Sequence, residues 1–136
     1  MSVDENKAVV CEFLDRMASG EIDQAFAMMT NDAGWWLPSD AAGGVTMSKT
    51  QMYDAVQAFG AVFKTPPHLT RGRITAEDDR VCIEQVSRGG ETHGGAIYAN
   101  DYHLLVIVRD GKIHEVREYM NPLLGAALMA EMQAGA

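Results

Sequence analysis

AIYANDYHLLVIVRDGKIHEVREYM, residues Ala96–Met120, holds two runs rich in β-branched and aromatic side chains, Ala96–Val108 and Ile113–Met120, separated by Asp110-Gly111. Asp-Gly between such runs is a strong hairpin signal, because both central residues of a type I′ turn need positive φ. The spacing leaves two registers open. A two-residue loop sets Glu118 opposite His103, whereas a three-residue loop with a glycine bulge sets Arg117 there.

Working back from this hairpin, the period stays that of strands over Val81–Arg88 and Leu69–Ala76, which flank a Glu77-Asp78-Asp79 turn. Gly89-Gly90 to Gly94-Gly95 reads as a glycine-rich loop. Ahead of Leu69 the period becomes helical. Val10, Phe13, Leu14 and Met17 keep i, i+3, i+4, i+7 spacing behind a Ser2/Glu5 capping box, so a first helix is expected from about residue 3 to Ala18, stopping at Gly20. Ile22, Ala25, Phe26 and Met29 predict a short second helix, interrupted at Asn31, Asp32 and Gly34. Trp35, Trp36 and Leu37 form a brief apolar run ended by Pro38, and Ala41-Ala42-Gly43-Gly44 reads as a mobile loop. Ser48 and Gln51 make a second capping box before Met52, Val56, Phe59 and Phe63, the stripe of a third helix that must end before Pro66 and Pro67. Leu123, Leu124, Leu128 and Met132 suggest a last short helix with a fraying Gly135-Ala136 tail.

Helices gathered before a run of antiparallel strands predict an α+β fold. The expected form is three N-terminal helices packed on a curved antiparallel sheet, the sheet forming a cone with an internal pocket, a cystatin-like α+β barrel. With no repeat or linker, residues 1–136 read as a single domain.

Composition narrows the function classes. Hydrophobic residues make up 47% and charged residues 22%, values of a globular chain. The 11 Lys and Arg against 19 Asp and Glu give a net charge of −8, and no stretch clusters cations, which argues against nucleic acid and anionic membranes as partners. The start Met-Ser-Val-Asp-Glu-Asn lacks the basic and apolar segments of a signal peptide, so a cytoplasmic location is expected. Cys11 and Cys82 read as reduced core residues. Leu104–Val108 is apolar on both faces while helices can cover only one, which predicts a homodimer through the sheet.

Tyr98-Ala-Asn100-Asp101-Tyr102-His103, Arg109-Asp110-Gly111-Lys112-Ile113 and Arg117-Glu118-Tyr119-Met120-Asn121-Pro122 resemble the C-terminal half of SnoaL-like proteins of the nuclear-transport-factor-2-like superfamily, relatives of ketosteroid isomerases and limonene epoxide hydrolases. The helix-helix-Trp-helix beginning agrees in order, so the resemblance extends over nearly the whole chain. It implies the fold more sharply than the activity, since the superfamily includes isomerases, polyketide cyclases, dehydratases, epoxide hydrolases and non-catalytic binders. The resemblance also implies pairing of two subunits through the sheet. It places Gln85, Ser87 and Asn121 where the epoxide hydrolases carry an Arg between two Asp, and none of the three is ionisable. Where ketosteroid isomerases carry a base Asp the chain has approximately Leu37, and the acid of the long strand falls near Asp101 or His103. The bulged register is favoured because it gathers His103, Asp101, Tyr119 and Asn121 on one face, as the family pattern requires.

His103 is then the first candidate proton carrier, since an imidazole titrates near neutral pH; a hydrogen-bonded core histidine is the other reading. Asp101 could bias its charge, or be solvated or paired with an Arg. Arg117 is a candidate for holding an oxyanion or a member of a surface charge pair with Glu118. Candidate ligand contacts are Asn121, Tyr119, Trp36, Gln85, Ser87, Leu105, Phe59 and Phe63, the aromatics among them serving equally as core. His68, His93 and His114 read as surface residues, and no histidine pair or phosphate loop suggests a metal or nucleotide, so no cofactor is expected. Two functions follow: a cofactor-free isomerase, cyclase or dehydratase acting on a small apolar carbonyl, enol or alcohol compound, or a binding protein with the same pocket. Epoxide hydrolysis ranks behind both.

Overall fold

The computed structural model describes residues 1–39 and 43–134. Helix α1 (Val3–Ala18) begins at the expected capping box, with Ser2 and Glu5 exchanging backbone and side-chain hydrogen bonds. Helix α2 (Ile22–Ala27) is short, and α3 (Lys49–Ala61) starts from the second capping box at Ser48 and Gln51. Phe63 lies beyond α3 and opens the strand β3 (Phe63–Thr65).

Among the described residues seven strands form one sheet: β1 (Met29–Pro38), β2 (Gly44–Ser48), β3, β4 (His68–Glu77), β5 (Arg80–Thr92), β6 (Ile97–Arg109) and β7 (Lys112–Tyr119). Their order is β2-β1-β7-β6-β5-β3, with β4 also on β5. Two expectations are corrected here. The sheet is mixed, because β1 enters between α2 and α3 and runs parallel to β7. It is also open: β2 ends one side and β3 and β4 the other, with no pairing between them, so the sheet does not close into a cone or barrel.

Further corrections concern segments read as loops. The Asn31-Asp32-Gly34 interruption lies inside β1, and Gly44 belongs to β2; Ala41 and Ala42 lie outside the described residues. Strand β5 continues through Gly89-Gly90 to Thr92, with a register shift between Ser87 and Gly90. Helix α4 (Pro122–Ala134) follows β7, while the side chain of Met132 and the Gly135-Ala136 tail lie outside the described set.

All helices for which contacts fix a side pack on one face of the sheet, here called inward. From α1 come Val10, Phe13 and Leu14, which meet Val81, Ile83, Val106, Val108, Ile113 and Val116. Trp35 stacks on Phe26 of α2 with centroids 6.2 Å apart, and Leu128 of α4 packs with Phe63 and Tyr98. Among the described residues the other face, outward, carries no helix.

Candidate active site

The hairpin settles which side chains face inward. Asp110 and Gly111 take φ of 50° and 77°, and Arg109 pairs with Lys112, so the turn has two residues. The register then shifts, for Val108 pairs with Ile113 but Ile107 pairs with Glu115, leaving His114 as an extra residue. His114 is half-buried rather than exposed, its Nδ1 3.0 Å from Thr30 Oγ1. Beyond this bulge His103 faces Tyr119, neither Glu118 nor Arg117. A one-residue slip exchanges the faces of a strand. The bulge therefore turns Glu118 inward, opposite Leu104.

Glu118 Oε1 accepts a hydrogen bond from Trp35 Nε1 at 3.0 Å. Trp35 is held by Phe26 and by Phe13, whose centroid lies 6.0 Å away. Burial pushes the Glu118 carboxyl up to about 7, while the Trp35 bond acts the other way by favouring the carboxylate. A carboxyl with that value exchanges protons at neutral pH.

Beside it, Tyr98, Asn100 and Tyr102 alternate along β6 and share the inward face. The Tyr102 hydroxyl lies 3.0 Å from Ser87 Oγ and 2.9 Å from the Tyr98 hydroxyl. Asn100 Nδ2 donates to the Tyr98 hydroxyl and to Asn121 O, and Asn100 Oδ1 accepts from Asp101 N and Asn121 N. Burial raises the Tyr102 phenol far above its ordinary value, and the nearby Glu118 charge raises it further, so Tyr102 keeps its proton. Unlike the buried Leu104 and Val106 of the same face, Tyr102, Gln85 and Glu118 are only half-buried. At this end of the inward face these three residues keep part of their surface in contact with solvent.

The structure divides the residues named from sequence. Gln85, Ser87, Phe59 and Phe63 lie inward, with Phe63 buried against Tyr98 and 5.1 Å from Phe59. Asn121 sits after β7, where its Oδ1 accepts from Leu123 N at the start of α4. His103, Asp101, Arg117, Tyr119, Trp36 and Leu105 share the outward face. There His103 is exposed, Asp101 pairs with Arg88 at 2.7 Å, and Arg117 lies 4.4 Å over the Trp36 ring with Tyr119 alongside. Glu118 and Tyr102 were not singled out as chemistry-bearing, and only the His114 bulge could have revealed Glu118.

On the far side of Gln85, Arg71 of β4 pairs in register with Gln85 and forms an ion pair with Asp15 of α1 at 2.8 Å. A cleft of ≈ 240 Å³ opens there between α1 and β4. Among the described residues no three His, Cys, Asp or Glu side chains gather as metal ligands, and no helix is long and apolar enough to cross a membrane.

The same arrangement of helices and sheet occurs in solved structures. PrhC from Penicillium brasilianum superposes with a TM-score of 0.82 at 12% identity, covering 98% of this chain and 91% of its own. An NTF2-like protein from Anabaena variabilis gives 0.74 at 23% identity, covering 89% and 92%, and TerC, co-crystallised with polyporic acid, gives 0.74 at 14%, covering 93% and 98%. These likenesses concern the fold. In sequence the chain matches no curated protein. The SnoaL-like domain family matches residues 10–116, spanning all of the sheet except the end of β7, and the chain therefore belongs to that family.

Proposed function

We propose that the protein moves a proton on a small, largely apolar carbonyl, enol or alcohol compound without a cofactor, in an isomerase, cyclase or dehydratase reaction. The observation that carries this reading is the convergence of Glu118 and Tyr102 on the accessible end of the inward face. The Glu118 carboxylate takes a proton from the carbon beside a carbonyl, becoming the neutral acid. The electron pair moves onto the carbonyl oxygen, where the Tyr102 hydroxyl donates a hydrogen bond to the enolate. Glu118 then returns the proton to a second carbon. Trp35 holds the carboxylate in place. TerC, of the same fold, was co-crystallised with polyporic acid, which supports a small-molecule role.

Deuterium exchange from D2O into a panel of apolar ketones and diketones, followed by NMR, tests this. Glu118→Gln is expected to slow exchange by about a hundredfold or more. Exchange indifferent to that substitution would overturn the assignment.

One observation favours a non-catalytic binder: Ser87, Tyr102, Tyr98 and Asn100 already satisfy one another. Tight ligand binding with no exchange in the same assay would establish that reading. For either function we propose a homodimer through the outward face, where half-buried Cys82, Leu105 and Ile107 form a strip that, among the described residues, no helix covers.

A further inference from the structure

Arg71 is a cation on the inward face whose partner is largely in solvent. A register shift in β4 between Arg71 and Ile74 lets both point toward the helices, Arg71 beside Gln85 and Ile74 beside the buried Ile83. Gln85 pairs in turn with Tyr102. Arg71, Gln85 and Tyr102 thus form one row across three strands, and at the usual strand spacing the outer two start about 10 Å apart. The cleft at the Arg71 end is lined by Leu14, Asp15 and Ala18 of α1 with His68, Leu69, Thr70, Arg71 and Gln85. Gln85 thus belongs both to the lining of the cleft and to the row that ends at Tyr102.

The Arg71 side chain is 29% exposed and that of Asp15 65%. An ion pair so open to water is weak, so an incoming anion displaces Asp15 at little cost. The planar guanidinium matches a carboxylate with two parallel hydrogen bonds, and the leucines beside it suit an apolar body.

We infer that this cleft seats the carboxylate of an elongated, otherwise apolar substrate, with Arg71 as the residue that selects it. That the far end of the same molecule meets Glu118 and Tyr102 rests on the proton-transfer reading above; the carboxylate seat does not.

Calorimetric titration of the full chain with naphthylacetic acid and with naphthylacetamide, alike in shape and different in charge, tests the seat. The acid is expected to bind at least about tenfold more tightly than the amide, the ratio of one charge-assisted pair. Arg71→Gln should erase that preference by weakening the acid alone, and Arg71→Lys should keep part of it. Asp15→Asn should tighten the acid and leave the amide unchanged. Equal affinities in the unaltered protein, no binding of either compound up to millimolar concentration, or a preference that survives Arg71→Gln would overturn the inference. The preference should persist in Glu118→Gln, so a failed carboxylate seat and a failed proton-transfer site give different results.

Discussion

Trp35 Nε1 donates a hydrogen bond to Glu118 Oε1 at 3.0 Å, joining the aromatic cluster under α1 and α2 to the carboxyl that the His114 bulge turns inward. This bond favours the charged carboxylate while burial disfavours it. Trp35→Phe keeps a ring between Phe13 and Phe26 and removes the donor. The Glu118 titration, followed by NMR of carboxyl-labelled glutamate, should then move above its position near 7. An unmoved or lowered midpoint would show that the indole does not hold the carboxylate.

The same carboxyl makes stability depend on pH in the direction opposite to an ordinary surface acid. Its folded value of about 7 stands above the unfolded 4.5. Between these values the folded state holds a proton that the unfolded chain has released, so stability falls as pH rises through the window. The loss is complete above the folded value. Its upper bound is roughly 3 kcal/mol, reduced by the water that still reaches a half-buried side chain. Urea unfolding of the native chain and of Glu118→Gln at pH values on either side of the window isolates the effect. The difference between the two proteins should shift in favour of the variant at the higher pH.

Hydroxyl and amide members of the network should differ in cost. Tyr102→Phe removes two hydroxyl contacts, but Ser87 Oγ still accepts from Asn100 N and the Tyr98 hydroxyl still accepts from Asn100 Nδ2. A loss of about 1 kcal/mol is expected. Asn100 is 3% exposed and ties Tyr98, Asp101 and both backbone groups of Asn121 together. Asn100→Ala strands several of these and should cost about 2–4 kcal/mol. Thermal unfolding in which Tyr102→Phe is the more damaging change would contradict the network as described.

On the outward face, Leu105 and Ile107 stand half-buried with, among the described residues, no helix above them. Sedimentation of the unaltered chain should give the mass of two copies at micromolar concentration, and Leu105→Lys should give one copy that remains folded, since a charge there is tolerated only in solvent. A single-copy mass for the unaltered chain would rule out the dimer.

Local rules carried much of the fold and little of the site. Both capping boxes and the Asp110-Gly111 turn depend on neighbours within four residues, and all three occur where the spacing placed them. Strand β1 was hidden because Asn31, Asp32 and Gly34 break the alternation, and its parallel partner β7 lies far along the chain. The open edge of the sheet is likewise a matter of long-range pairing. At the site, Gln85 and Ser87, candidate ligand contacts through the family resemblance, lie on the inward face, and Asp101 pairs with an arginine, Arg88. Glu118 was not legible, because the register depends on one extra residue, His114, whose ring meets Thr30 across the sheet and whose bulge no signal in the hairpin announces.

The sharpest separation between the two carriers of a proton comes from His103. Its imidazole is exposed on the outward face, set between Glu84 on β5 and Tyr119 on β7, while Glu118 lies on the inward side of the same sheet. A side chain on one face of a strand cannot reach a ligand on the other without breaking the ladder. His103→Gln removes a titratable group that no core packing depends on, so the melting temperature should stay within about 2 °C of the unaltered chain. Deuterium exchange catalysed from the inward face should be equally unaffected, whereas Glu118→Gln slows it by about a hundredfold or more. The reverse pattern, a stable His103→Gln variant that has lost exchange beside a fully active Glu118→Gln, would move the chemistry to the outward face and give His103, Asp101 and Arg117 the roles proposed above for Glu118 and Tyr102.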